Sequence, residues 1–313
     1  MMSAPTLTIA GCTRNRGPLL ERAVESILRE VQSSSLATDA TLELLVVDNG
    51  SSDDTADRLH RLMEREARLR MVHEPTPGIS VARNRVLSEA RNDVILWFDD
   101  DITVMPGWLD AHLEMYRTQP DCVGVGGAIE LYFDTRRPTW LDRAMEANLA
   151  AFDLDSGHVE RITSSERLPF GANMSLRRDA MLSVGGFDGA LGRVDQSLIS
   201  GEETAVLEAL RRQGASMWLT GDARVYHHIP SERTTLRWMA RRTYGQGRTD
   251  QRMRRDMALP EAGARLVLGG FRHVFRHLRT PKAAIAGYVF QRAYWAGRIA
   301  EIVSPGGVSL RRR

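Results

Sequence analysis

The sequence predicts an α/β fold: an open, mainly parallel sheet flanked by helices, followed by a basic helical C-terminal extension. Three observations predict it. Apolar strand-like runs and amphipathic helical runs alternate about every 15 to 25 residues through the first 120 or so. The strands are apolar throughout rather than at every second position, as strands covered on both faces are. The charge is also split. Residues 233–313 hold 18 Arg or Lys against 4 Asp or Glu (+14), whereas residues 1–232 hold 24 against 36 (−12).

In order, "LTIAGC" (7–12) reads as a buried strand, and "GPLLERAVESILREV" puts Leu20, Ala23, Val24, Ile27, Leu28 and Val31 on one helical face. "LELLVV" (42–47) is the second strand, and "SSDDTADRLHRLM" a helix opened by capping residues. "RMVH", the helix "GISVARNRVLSEA" and the strand "DVILWF" follow, joined by right-handed crossovers. "CVGVGGAIELYF" (122–133) is a glycine-rich strand, "PTWLDRAMEANLAAF" a short helix, and residues 153–168 a polar loop. "FGANMSLRRDAMLSVGGFD" turns into a helix; "GEETAVLEALRRQG" is a helix ending at Gly214, and "SMWLTGDARVYHH" a strand pair. From 233 the chain reads as Arg-rich helix to about residue 303. The expected domains are 1–232, in two halves of about 1–120 and about 121–232, then the extension 233–313.

At 313 residues, with 42% hydrophobic and 26% charged residues, the chain has the makings of a folded core. Cys12 and Cys122, the two cysteines, both sit in apolar strand contexts, so buried thiols in a reducing compartment are expected rather than a disulfide. The first apolar run, "TLTIAG", is short and lacks a basic leader, so no signal peptide is expected. No run reaches the roughly 18 apolar residues of a membrane span.

In open α/β sheets, ligands bind beyond the carboxyl ends of the strands. "TRNR", "DNGSSDD" and "DDD" follow strands one, two and four, so three polar loops converge on one edge. Asp99, Asp100 and Asp101 repel one another unless something positive sits among them. As a plain solvated turn they would cap the next helix. As a cation seat, Asp99 with Asp101, or Asp100 with Asp101, would hold Mg²⁺ or Mn²⁺ against a diphosphate. "DDDIT" also matches the aspartyl phosphatase pattern Asp-x-Asp-x-Thr, but that pattern belongs near the first strand and wants a lysine, and Lys282 is alone in the tail. A sugar nucleotidyltransferase would need a glycine-rich first loop, and "GCTRNRGPL" has the wrong spacing.

Taken in order, "TIAGCTRNR", "LLVVDNGSSDDT", "PGISVARNRVLSEARNDVILWFDDDITVMPGWL", "GANMSLRRDAMLSVGGFD" and "GEETAVLEALRRQG" resemble the family 2 glycosyltransferases of the GT-A fold, over roughly residues 6–230. The resemblance implies metal-dependent, inverting transfer from a nucleotide-diphosphate sugar, UDP-type favoured, to a carbohydrate or lipid-linked acceptor, in cell-surface polysaccharide or glycolipid synthesis. It implies that Asp48 accepts from a uracil-like base, that Cys12, Arg14 and Arg83 line the nucleotide pocket, and that Asp99 meets the ribose. Asp101 or Asp100 would hold the metal, with His227 or His228 beside it. The loop at Gly171 and Asn173 would face the donor sugar, and Glu203, next to Glu202, would be the general base. Two departures stand out: the family's first-loop tyrosine is Arg14 here, and its Gly-Glu-Asp is Gly201-Glu202-Glu203. The other class of reading is a non-catalytic nucleotide-sugar sensor or scaffold that kept the fold.

In the extension, Val267, Leu268, Phe271, Val274, Phe275 and Leu278 would form one apolar face ringed by Arg265, Arg272, Arg276 and Arg279. Residues 283–299 repeat the pattern with Ile285, Tyr288, Val289, Arg292, Tyr294 and Trp295. The expectation is a cytoplasmic protein, peripheral on an anionic inner membrane face; docking on the catalytic domain or dimerisation would use the same faces. The acidic front half argues against nucleic acid.

Overall fold

The computed structural model describes residues 5–37, 42–195, 197–276 and 281–305, the side chains of 268–276 and 281 excepted. The elements run β1 Leu7–Thr13, α1 Gly17–Ser33, β2 Leu42–Asp48, α2 Thr55–Met63, β3 Leu69–His73, α3 Ile79–Glu89 and β4 Val94–Asp99. Next come β5 Ile102–Val104, α4 Trp108–Thr118, β6 Cys122–Phe133, α5 Arg143–Glu146, β7 Val159–Arg161, β8 Asn173–Arg177 and α6 Arg178–Ser183. The chain continues through α7 Glu202–Arg212, β9 Ser216–Ile229, α8 Leu236–Arg254, α9 Leu259–Arg276 and α10 Pro281–Val303.

The described strands form one sheet in the order β3-β2-β1-β4-β8-β6-β9-β5, with β7 pairing beside β9. The first four are parallel. From β4 onward the partners run antiparallel at β4–β8, β8–β6 and β9–β5. Apolar side chains cover both faces of the sheet, as the uninterrupted strands required. On one face Ile9, Val46 and Leu96 meet Leu20, Val24 and Ile27 of α1 and Trp108 and Leu113 of α4. On the other, Leu45, Ile95 and Trp97 meet Val86 of α3, Phe187, and Val206 and Leu210 of α7.

The chain divides into two compact units. The first takes the residues up to Tyr132, Ala150–Gly189 and Glu202–His228; the second takes Phe133–Leu149, Ala190–Gly201 and the residues from Ile229 onward. A single boundary at 232 therefore misses two segments, 133–149 and 190–201, that group with the helices of the extension. Within the second unit, α8 and α10 cross at glycines. A Cβ on Gly247 would collide with the Tyr294 carbonyl, and one on Gly297 with the Tyr244 carbonyl. Buried Glu301 accepts from Arg248 at 2.9 Å and from Arg252 at 2.9 Å.

Three sequence expectations change. "SMWLTGDARVYHH" is one continuous strand, not a pair; β9 takes β7 at one end and β5 at the other. Residues 153–168 hold β7. "FGANMSLRRDAM" runs as β8 before it becomes α6. Of the apolar face expected over 264–278, Val267 is exposed, whereas the side chains of Leu268, Phe271, Val274, Phe275 and Leu278 lie outside the described residues. Among the described residues, no helix is long and apolar enough to cross a membrane.

Candidate active site

The parallel register sets the site. Cys12 lies opposite Val47 on one side and Asp99 on the other, and Thr13 lies opposite Asp48, so β1, β2 and β4 end level. Their loops are tied together. Asn15, in the left-handed region at φ 54, accepts from the Ser52 amide at 2.7 Å and donates its own amide to Ser51 Oγ at 2.9 Å. Buried Asp48 accepts the Ser51 amide at 3.0 Å, and His73 Nδ1 stands 3.6 Å from its other oxygen. Arg14 is half-buried on the same loop.

The positive charge that three adjacent aspartates require comes from the chain itself. Arg16 donates to Asp100 Oδ1 at 2.6 Å and to Asp101 Oδ2 at 3.0 Å. Thr13 donates to the second Asp100 oxygen at 2.8 Å. Asp100 raises the Arg16 guanidinium further above its ordinary range, against the cost of burial. Loss of solvation raises the carboxyls of Asp100 and Asp99 above the ordinary value, while Arg16 and Arg83 respectively pull them back. Burial also pushes the Cys12 thiol up to about 12, which keeps it protonated.

The two histidines diverge because successive strand residues face opposite sides of the sheet. His227 Nε2 stands 3.2 Å from Asp101 Oδ1, both groups buried. His228 instead pairs through Nε2 with Thr103 Oγ1 at 2.9 Å and lies against the Tyr132 ring, centroids 4.9 Å apart. That bond engages the threonine of the Asp-x-Asp-x-Thr match inside β5.

A second guanidinium gathers the remaining acids. Arg83, buried on α3, lies near the Trp97 and Phe187 rings at 5.8 and 5.5 Å. Its NH1 donates to Glu202 Oε1 at 2.9 Å and stands 3.6 Å from Glu203 Oε2; its NH2 stands 3.6 Å from Asp99 Oδ1. Burial works against this charge, yet Glu202, Glu203 and Asp99 together raise it above the ordinary arginine value. Both glutamates open α7, where the helix dipole favours negative charge. Gly171 packs against this cluster, and a Cβ there would strike the Arg83 guanidinium.

Asn173 does not face the site. It is fully buried, and its carboxamide is taken up by structure. Oδ1 accepts from Trp108 Nε1 at 2.8 Å and pairs with His112 Nε2 at 3.1 Å, while Nδ2 donates to the Ala128 and Ala223 carbonyls, each at 2.9 Å. Only the Gly171 end of the expected sugar-facing loop reaches the acids. In turn, Thr13 and Arg16 are the residues that sequence reasoning missed. The signal was present: three acids at one strand end need a cation, and "TRNR" ends the neighbouring strand.

Among the described residues, no group of three or more His, Cys, Asp or Glu is arranged to hold a metal ion. The pair Asp101 Oδ1 and His227 Nε2 nonetheless suits a hard or borderline divalent ion that completes its shell with water and ligand oxygens.

Known proteins resemble this chain in sequence and in fold. Residues 8–184, more than half of the chain, match the family model described as "Glycosyl transferase family 2". The chain is 27% identical over 240 residues to a glucosyl-dolichyl phosphate glucuronosyltransferase of Haloferax volcanii, covering 76% of this chain and 75% of that one. It is also 27% identical over 254 residues to the succinoglycan biosynthesis protein ExoM of Rhizobium meliloti, covering 80% and 76%. In fold it is similar to the mannosyltransferase PcManGT from Pyrobaculum calidifontis, solved in complex with GDP-Man and Mn²⁺. The TM-score is 0.63 at 17% identity, over 97% of this chain and 88% of that one, a GT-A-like likeness.

Proposed function

The chain belongs to glycosyl transferase family 2, and from that premise we propose that it moves a sugar, with inversion, from a nucleotide-diphosphate donor to an acceptor hydroxyl. One observation carries the reading: Arg83 joins Asp99, at the end of β4, to Glu202 and Glu203 of α7 in one cluster. In this proposal Glu203 takes the proton from the acceptor hydroxyl, and that oxygen attacks the anomeric carbon from the face opposite the nucleotide. Glu202, bound to Arg83, fixes the turn on which Glu203 stands. Asp48 accepts from the base, which favours a uridine nucleotide, with Arg14 and Cys12 beside it; Asp99 meets the ribose. A divalent cation, Mn²⁺ or Mg²⁺, would be held by Asp101 and His227 and would stabilise charge on the leaving diphosphate. Asp100, engaged by Thr13 and Arg16, holds the loop in place beside them.

The proposal extends to where the acceptor is met. One face of α10 carries Lys282, Ile285, Val289 and Arg292, at helical spacing, with Ile285 and Val289 among the exposed large apolar side chains. Such a face suits the inner surface of an anionic membrane and a lipid-linked acceptor. Vesicles of phosphatidylglycerol should co-sediment the protein, vesicles of phosphatidylcholine should not, and Ile285→Glu should release it.

The donor reading is tested by melting the protein with a panel of nucleotide sugars, with and without Mn²⁺. A uridine diphosphate sugar with Mn²⁺ should raise the midpoint most, since a ligand of the native state stabilises it. A donor that stabilises equally in chelator would remove the cation from the scheme. A panel in which no donor stabilises would sink the scheme entirely.

A further inference from the structure

The β6–β9–β5 edge of the sheet carries a group of side chains that the proposed chemistry leaves unused. Tyr132 on β6 is 52% exposed, its ring open to solvent on one side. It packs edge-on against Tyr226 of β9, centroids 6.2 Å apart, and tilts against His228 at 4.9 Å. Thr103 on β5 is in register with Tyr226, and its hydroxyl pairs with His228 Nε2, which fixes that ring. Two residues before Tyr226 on β9, on the same face, Arg224 pairs with Glu130 of β6 at 2.7 Å. Strand alternation thus puts Glu130 and Tyr132, Arg224, Tyr226 and His228, and Thr103 on one face, while Val225 and Ala223 point into the core.

We propose that this face is a saccharide-binding shelf for the acceptor. The chemistry of a pyranose suits it: Tyr132 offers a flat apolar surface to the C–H face of the ring. The Arg224–Glu130 pair and the Thr103 hydroxyl surround it with donors and acceptors for hydroxyl groups. The shelf is also continuous with the acid loop. Thr103 follows Asp101 by two residues, about 7 Å along an extended strand. The His228 amide donates to the Asp101 carbonyl at 2.8 Å. A sugar lying on Tyr132 is thereby held next to the strand ends where transfer takes place. The inference rests on the glycosyl-transfer reading and adds to it the place where a carbohydrate acceptor, rather than the donor, is recognised.

The test is saturation-transfer NMR on the full-length protein with cellobiose, lactose and maltose as probes. At least one should show transfer concentrated on the ring C–H protons of one sugar face. Tyr132→Ala should weaken that binding roughly three- to tenfold, as the loss of one aromatic contact does, and Tyr132→Phe should restore it. Circular dichroism of both variants separates the effect from misfolding. Absence of transfer from all three sugars, or a signal undiminished in Tyr132→Ala, overturns the shelf. Concentration-dependent dimerisation abolished by Tyr132→Ala would assign the face to a second copy and overturn it equally. Nucleotide-sugar hydrolysis by the wild type in the same buffer reports the donor reading separately: its failure, with the sugar signal intact, would strike that reading and leave the shelf standing.

Discussion

The two sides of the sheet deliver their functional residues by different routes. On the parallel side, β3-β2-β1-β4, strand, loop and helix follow one another directly, so each polar loop is positioned by its immediate sequence neighbours. On the antiparallel side, β4 at 94–98 pairs with β8 at 173–177, and β5 at 102–104 with β9 at 225–227. The acids of the parallel side are therefore held by local geometry and by cations from nearby loops. Glu202, Glu203 and His227 arrive through long-range pairing, and they stay in place only if the buried supports beneath them hold.

The comparison breaks most sharply at Glu203. If the parallel side binds and α7 performs the chemistry, Glu203→Gln should cut transfer by about 10²- to 10⁴-fold while donor-induced stabilisation persists. Initial-rate assays beside thermal shift would show it, and normal turnover would move the base elsewhere. Next comes Arg83, the joint between the two sides. Arg83→Met leaves the buried Glu202 carboxylate without its guanidinium and should cost about 3–5 kcal/mol of stability, read from urea midpoints. Asn173→Ala tests the antiparallel side alone. It leaves buried Trp108, His112 and two carbonyls without this partner and should cost about 3 kcal/mol in the same titration.

The smallest effect concerns pH. Burial holds the His112 imidazole down to about 4, against an ordinary 6.5. The folded state prefers the neutral ring, so the unfolded chain takes the proton. The contribution of His112 is complete above pH 6.5 and is lost as pH falls toward 4, by at most about 3 kcal/mol. Urea midpoints at pH 7.5 and 4.5, compared with those of His112→Asn, isolate it; equal slopes in both proteins would contradict the buried neutral ring.

The same contrast explains what could be read in advance. α1, β2, α3 and β4 were legible because a helical or strand period needs only adjacent residues, and the acid loops were legible because their strands end in parallel register. The roles of Asn173 and His228 were not. Asn173 stands in a "GANM" loop that looks open in sequence. It is closed by Trp108 and His112, which come from α4. His227 and His228 are indistinguishable by spacing; the side-chain geometry separates them, His227 turning to the Asp101 carboxylate and His228 to the Thr103 hydroxyl. "SMWLTGDARVYHH" reads as a strand pair, yet β9 stays extended throughout, with Gly221 packed against the Asp155 carbonyl.

Arg16, just past the end of the neighbouring strand, gives the triple-aspartate loop a counter-charge through its guanidinium, which holds Asp100 and Asp101 together. One guanidinium thus answers two buried carboxylates, and part of the loop's mutual repulsion is met from within the chain. On the proposed scheme, a departing nucleotide would leave behind a loop that needs no rebuilding, and the next donor would meet a mould already set.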